Sequence, residues 1–136
     1  MSIRSIANHV YKTLGYGHSE SVYHRAMEVG LRKRCIQYET EKVVTITYEG
    51  HVVGSRRFDL VVDGNTIVEL KSVSAIKERE RTQLRNYMDI TGMEHGVLIN
   101  FPTNGNDLEF IERKTEEIHL EREGEVTLSS PTSHVA

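Results

Sequence analysis

The segment "FDLVVDGNTIVELK" (58–71) joins two apolar, β-branched runs across Asp63-Gly64-Asn65. This is a hairpin signal, with strands predicted over 56–62 and 66–72. A two-residue loop would put Asp59 and Glu69 on opposite faces of the pair. A three-residue loop pairs Val62 with Thr66 and sets Asp59 opposite Glu69. Lys71, two residues on, shares the face of Glu69. Like charges directly opposed are destabilising, so something has to compensate: a divalent cation, Lys71, or both.

The flanking segments supply the rest of a mixed domain. Ile3, Ile6, Ala7, Val10, Tyr11 and Leu14 follow an i, i+3, i+4, i+7, i+8, i+11 pattern, which predicts an amphipathic helix over 3–14 with Gly15 as its stop. A second helix is expected from the N-cap candidate Ser19 to about Arg34. Val22, Tyr23, Ala26, Met27, Val29 and Leu31 form its apolar face, and Ser21, His24, Arg25, Glu28 and Arg32 its polar face. Glu20 projects within about 20° of Met27 and Leu31, on the apolar side, and is a second misplaced acid. Residues 39–48 read as a strand and "EGHVVG" as a turn into the next. Residues 76–91 read as a helix with Ile76, Leu84, Tyr87 and Met88 on one face and Gly92 at its end. Residues 95–101 are a short buried strand and 107–113 an edge strand. The order is α-α-β-β-β-α-β-β, an α/β (α+β mixed) fold with a central mixed sheet flanked by helices. One domain is expected over 1–113, followed by a C-terminal extension, 114–136, whose small polar residues from Gly124 predict disorder.

Composition narrows the class without naming an activity. The chain has 136 residues, enough for one core, and its single cysteine, Cys35, excludes an intrachain disulfide and a cysteine-based zinc site. No apolar run approaches the roughly 20 residues that span a bilayer, and no secretory leader is apparent at the N-terminus. An intracellular location is the expectation. A net charge of −3 argues against a protein that coats nucleic acid, yet leaves room for a local basic groove.

The chemistry concentrates at Asp-x9-Glu-x-Lys. Two carboxylates and a main-chain carbonyl make a hard, oxygen-rich site that suits magnesium. A lysine beside it can orient a water or stabilise charge developing on phosphorus. These three residues alone are equally compatible with a solvated cluster at strand ends. Glu20 alone is equally compatible with an acid stabilised by the helix dipole. Tyr23, one turn on, is a packing residue whose hydroxyl could orient Glu20. Gln83 and Tyr87 share a helix face; they either pack at the core edge or brace the site. Arg56 and Arg57 precede Asp59, and Lys77, Arg79, Arg81 and Arg85 lie on the third helix; they meet phosphates or pair with Glu78 and Glu80. The histidines, including His18 near Glu20, show no two-His zinc spacing on a shared helix face.

Together these segments resemble a known family. "GHSESVY" (17–23) fits the Gly-x-x-Glu-x-x-Tyr signature of the GxxExxY proteins. "LGYG", "FDLVVDGNTIVELKSV" and "QLRNYMDITGMEHGVLINF" are similar to that family in the same order, over about residues 3–113. The family is placed in the PD-(D/E)xK nuclease superfamily. The resemblance implies a restriction-endonuclease-like core and a metal site at Asp59 and Glu69, with the Leu70 carbonyl as a further ligand and Lys71 as the catalytic lysine. It aligns Glu20 with the acid on the first core helix, and Gln83 and Tyr87 with the Gln-x-x-x-Tyr element of RecB-like nucleases. The family's turn often reads Gly-Pro-Gly where this chain has Gly15-Tyr16-Gly17, and His18 and Ser19 replace a commonly apolar pair.

The expectation is therefore a Mg²⁺-dependent nuclease, with Mn²⁺ as a substitute, acting on DNA and leaving 5′-phosphate ends. Asp59, Glu69, Leu70 and Glu20 serve the metal, Lys71 positions the water, and Gln83, Tyr87, Tyr23 and Arg57 support the site or the substrate. The rival is a catalytically silent nucleic-acid-binding or structural module that keeps the fold. A carboxylate-pair glycosidase has no role for Lys71. A homodimer is compatible with the small size but has no interface behind it.

Overall fold

The computed structural model describes residues 2–115. The elements are α1 (Ile3–Leu14), α2 (Glu20–Lys33), β1 (Tyr38–Tyr48), β2 (His51–Val62), β3 (Thr66–Lys71), α3 (Glu78–Thr91), β4 (His95–Asn100) and β5 (Glu109–Lys114). The five strands form one sheet in the order β1-β2-β3-β4-β5. Only β3 and β4 run parallel, joined through α3 as a parallel pair requires. The expected order of elements is the observed one, and β5 stands at an edge.

Helices cover both faces. On one face α1 and α2 pack Ile6, Ala7, Val10, Tyr23, Met27 and Leu31 against Leu60, Val62, Val68, Leu70, Ile99 and Phe101. On the other, α3 packs Leu84, Tyr87 and Met88 against Phe58, Val61, Ile67 and Leu98. Each buried Val, Leu, Ile, Phe or Met side chain among them contributes roughly 1.5–3 kcal/mol by leaving water. β3 is buried on both faces over Ile67–Leu70, where three residues are apolar and Glu69 is the exception.

Ser2 caps α1, its hydroxyl oxygen accepting from the Ser5 N–H at 3.1 Å. Gly15 ends α1 at φ +77°. Ser19 occupies the N-cap position of α2, but its side chain makes no capping bond. The segment read as a turn, 49–54, is mostly strand. Only Glu49 and Gly50 turn, and β2 begins at His51, paired with Tyr48. The apolar face of α2 is also narrower than its periodicity suggests. Val22 and Val29 are exposed, because α1 and the sheet meet α2 along Tyr23, Met27, Gly30 and Leu31, with Ala26 packed at the edge. The expected disordered tail from Gly124 lies outside the described residues.

Candidate active site

The predicted three-residue turn is present, with Val62 opposite Thr66. The ladder then stops one pair earlier than expected, at Leu60 and Val68. Asp59 and Glu69 are thus not a ladder pair with carboxylates abreast. Each carboxylate instead bonds the other strand's backbone. The Asp59 N–H donates to Glu69 Oε1 at 3.1 Å, and the Leu70 N–H donates to Asp59 Oδ2 at 2.8 Å. Side chains finish the pairing where the strands part.

The cause lies in β2. Phe58 packs on the α3 side, and Leu60, two residues later, packs on the α1–α2 side. Regular alternation would put both on one face. The break falls at Asp59, opposite Glu41, which holds a φ of +51° in β1. This kink turns Asp59 out of the strand's alternation and aims its carboxylate across the gap to β3.

Three acids gather here in different surroundings. Glu69 is buried, and lost solvent followed by the Asp59 charge pushes its carboxyl up to about 8. Burial is also the first cause of the raised Asp59 pKa, opposed by the Leu70 N–H, His24 and Lys71. Glu20, in the first turn of α2, is the most exposed of the three. Partial desolvation and then Asp59 raise its pKa, while Lys71 and His24 lower it. Lys71, at the end of β3, acts on all three acids.

From the α3 side, Tyr87 closes the site. It is buried edge-on against Phe58 at 4.8 Å, with the Gln83 side chain near its hydroxyl. Desolvation first, then Glu69, raises its phenol pKa. Tyr23 does not reach toward Glu20. Its hydroxyl donates to the Gly15 carbonyl at 2.7 Å and accepts from the His18 N–H, while its ring stacks on Phe101 at 4.3 Å. Arg57 is exposed on β2, paired with Val43. Arg56, not Arg57, joins Gln83 and Tyr87 in lining a groove of about 690 Å³ between α3 and the β1–β2 hairpin.

Two further residues escaped the sequence reading. His24 lies 3.9 Å from Asp59 Oδ1 through Nδ1; its Nε2 is 2.8 Å from Thr40 Oγ1 and 3.5 Å from Glu28. With Glu20 they line a cleft of about 510 Å³ against Asp59. Glu20, His24 and Glu28 are spaced i, i+4, i+8. That spacing was the available signal, since it stacks all three on one stripe of α2.

Among the described residues, no three His, Cys, Asp or Glu side chains converge as a ready-made metal cage. The donor set nevertheless fits one class of ion. A pair of rigidly held carboxylates, each with one oxygen engaged by a backbone N–H, suits a hard cation that keeps most of its waters, as magnesium does. Calcium would call for more protein oxygens, and zinc for nitrogen or sulfur.

A profile of the PD-(D/E)XK nuclease superfamily matches residues 1–114. The chain belongs to that superfamily. The crystal structure of SSO0001 has a similar fold, with a TM-score of 0.55 at 21% identity. The likeness covers 77% of this chain and 55% of that one, so this chain spans about half the length of the solved structure. None of the curated proteins matches the chain. Membership in the PD-(D/E)XK superfamily accounts for the fold. Among the described residues, no helix is long and apolar enough to cross a membrane.

Proposed function

We propose that this protein is a Mg²⁺-dependent nuclease that hydrolyses DNA phosphodiester bonds. The placement of Lys71 beside two carboxylates held by reciprocal bonds, Asp59 to the Leu70 N–H and Glu69 to the Asp59 N–H, carries this reading. The bonds fix two carboxylates at an open strand end beside Lys71, an arrangement that a surface cluster of charges would not need. A divalent cation held by Asp59 and Glu69, with the Leu70 carbonyl, would supply charge for the phosphate and lower the pKa of a water.

The chain's own residues do the rest. Lys71 orients the attacking water and meets charge developing on the phosphate. Glu20, standing farther out, acts through water. Gln83 and Tyr87 brace the site from the α3 side, where Tyr87 packs on Phe58 and senses the Glu69 charge. Water adds across the P–O3′ bond; its hydroxide oxygen joins phosphorus and a proton goes to the departing 3′ oxygen. The product ends are then a 5′-phosphate and a 3′-hydroxyl. The motif order of the GxxExxY proteins supports the same assignment of roles.

Labelled single-stranded DNA, duplex DNA and RNA, incubated with Mg²⁺, Mn²⁺ or EDTA, test the reading. Metal-dependent cleavage of DNA that disappears in Lys71→Ala and Asp59→Asn is the expected result. Metal-independent binding of DNA without cleavage by folded protein would leave a silent binding module in its place.

A further inference from the structure

The turn before α2 carries a feature that the hydrolytic chemistry does not use. Tyr16 sits between Gly15 at φ +77° and Gly17 at φ +93° and is 61% exposed. Two left-handed glycines permit a turn that presents the intervening side chain outward.

This turn is held from three sides. The Tyr23 hydroxyl bonds the Gly15 carbonyl and accepts from the His18 N–H. The His18 ring bonds the Leu14 carbonyl at 3.0 Å. The Ser72 hydroxyl donates to the His18 carbonyl at 3.2 Å, and Ser72 directly follows Lys71. The loop after β4 is fixed as well, by the Tyr11 hydroxyl on the Asn106 carbonyl at 2.7 Å. The two loops meet at Tyr16 and Gly105. A Cβ added at Gly105 would lie only 3.0 Å from the Tyr16 ring, so the glycine lets the loop pass under the ring's edge.

Tyr23, buried, and Tyr11, partly buried, thus spend their hydroxyls on loops whose junction exposes a third tyrosine. Tyr16 is four residues from Glu20, so their Cα atoms are no more than about 14 Å apart. A fixed, exposed ring at that distance from a phosphodiesterase centre suits the flat face of a base. In a duplex, neighbouring pairs cover both faces of a base, whereas an unpaired base has a face to offer.

We propose that Tyr16 is a stacking platform for an unpaired nucleobase, which makes single-stranded DNA or a frayed end the preferred substrate. The inference rests on the nuclease reading above. The chain has no tryptophan, so Tyr16→Trp places a lone indole at the platform. Titration in EDTA with a single-stranded DNA oligonucleotide of mixed sequence should quench that indole, and its blunt duplex should not. Tyr16→Ala should bind the single strand roughly 5- to 150-fold more weakly, the range one stacked base supplies. Its duplex binding should be unchanged, and Tyr16→Phe should behave as the parent. Circular dichroism of each variant excludes misfolding. An unquenched indole at saturating single strand, or parental single-strand affinity in Tyr16→Ala, would overturn the platform while cleavage by the parent protein leaves the nuclease reading standing. Folded parent protein that neither binds nor cuts any oligonucleotide would remove both.

Discussion

Lys71 differs from the other charged groups in the site because its charge bears on Glu20, Asp59 and Glu69 alike, whereas His24 bears on Glu20 and Asp59. Replacing it by methionine keeps the stem and removes the ammonium. Single-turnover cleavage should fall by about 10²–10³-fold, the scale for losing one preorganised donor. Mn²⁺ affinity, followed by electron paramagnetic resonance, should hold, because the metal's proposed carboxylates remain. Tyr23 acts at the same scale through its hydroxyl. Tyr23→Phe loses the 2.7 Å bond to Gly15 and should reduce stability by about 1 kcal/mol in urea denaturation.

Elements set where those side chains stand, and the helix contacts are tight. At Gly30, a Cβ would lie 2.5 Å from Ile6 Cγ2, where α2 crosses α1. Ile6 is buried and β-branched, so it has little freedom to yield. Gly30→Ala should therefore destabilise the fold by roughly 1–3 kcal/mol and lower its melting temperature. Element type was legible where one residue's partners are local. The α1 periodicity, the Asp63-Gly64-Asn65 turn and the Gly92 stop all appear as expected. The start of β2 was not legible, because "HVVG" becomes strand only through its pairing with β1. The early end of the β2–β3 ladder was hidden for a similar reason. It depends on the kink at Asp59, which involves Glu41 on another strand. The sequence places His24 and Glu28 only on the polar face of α2, because helix periodicity reports which residues share a stripe, not which strand end that stripe meets.

At the scale of the whole molecule, the site is a stability term that responds to pH. The Glu69 carboxyl is raised from 4.5 to about 8 in the fold. Between those values the folded chain keeps a proton that the unfolded chain has released, so stability falls as pH rises through the window and levels off above about 8. Melting temperature in EDTA should show this decline. Glu69→Gln should flatten it, and saturating Mg²⁺ should oppose it by binding only the folded form. The open end of the β2–β3 pair has another implication, one for descent. There the Asp59 and Leu70 amides are satisfied by the very oxygens proposed to serve catalysis. A descendant that gave up cutting would still be under pressure to keep both acids, since buried amides left unbonded cost stability. Lys71 cannot take over that task, because an ammonium has no lone pair to offer an N–H. Persistence of the two acids is therefore silent about activity, and the fate of Lys71 is the feature that separates a working lineage from a relic.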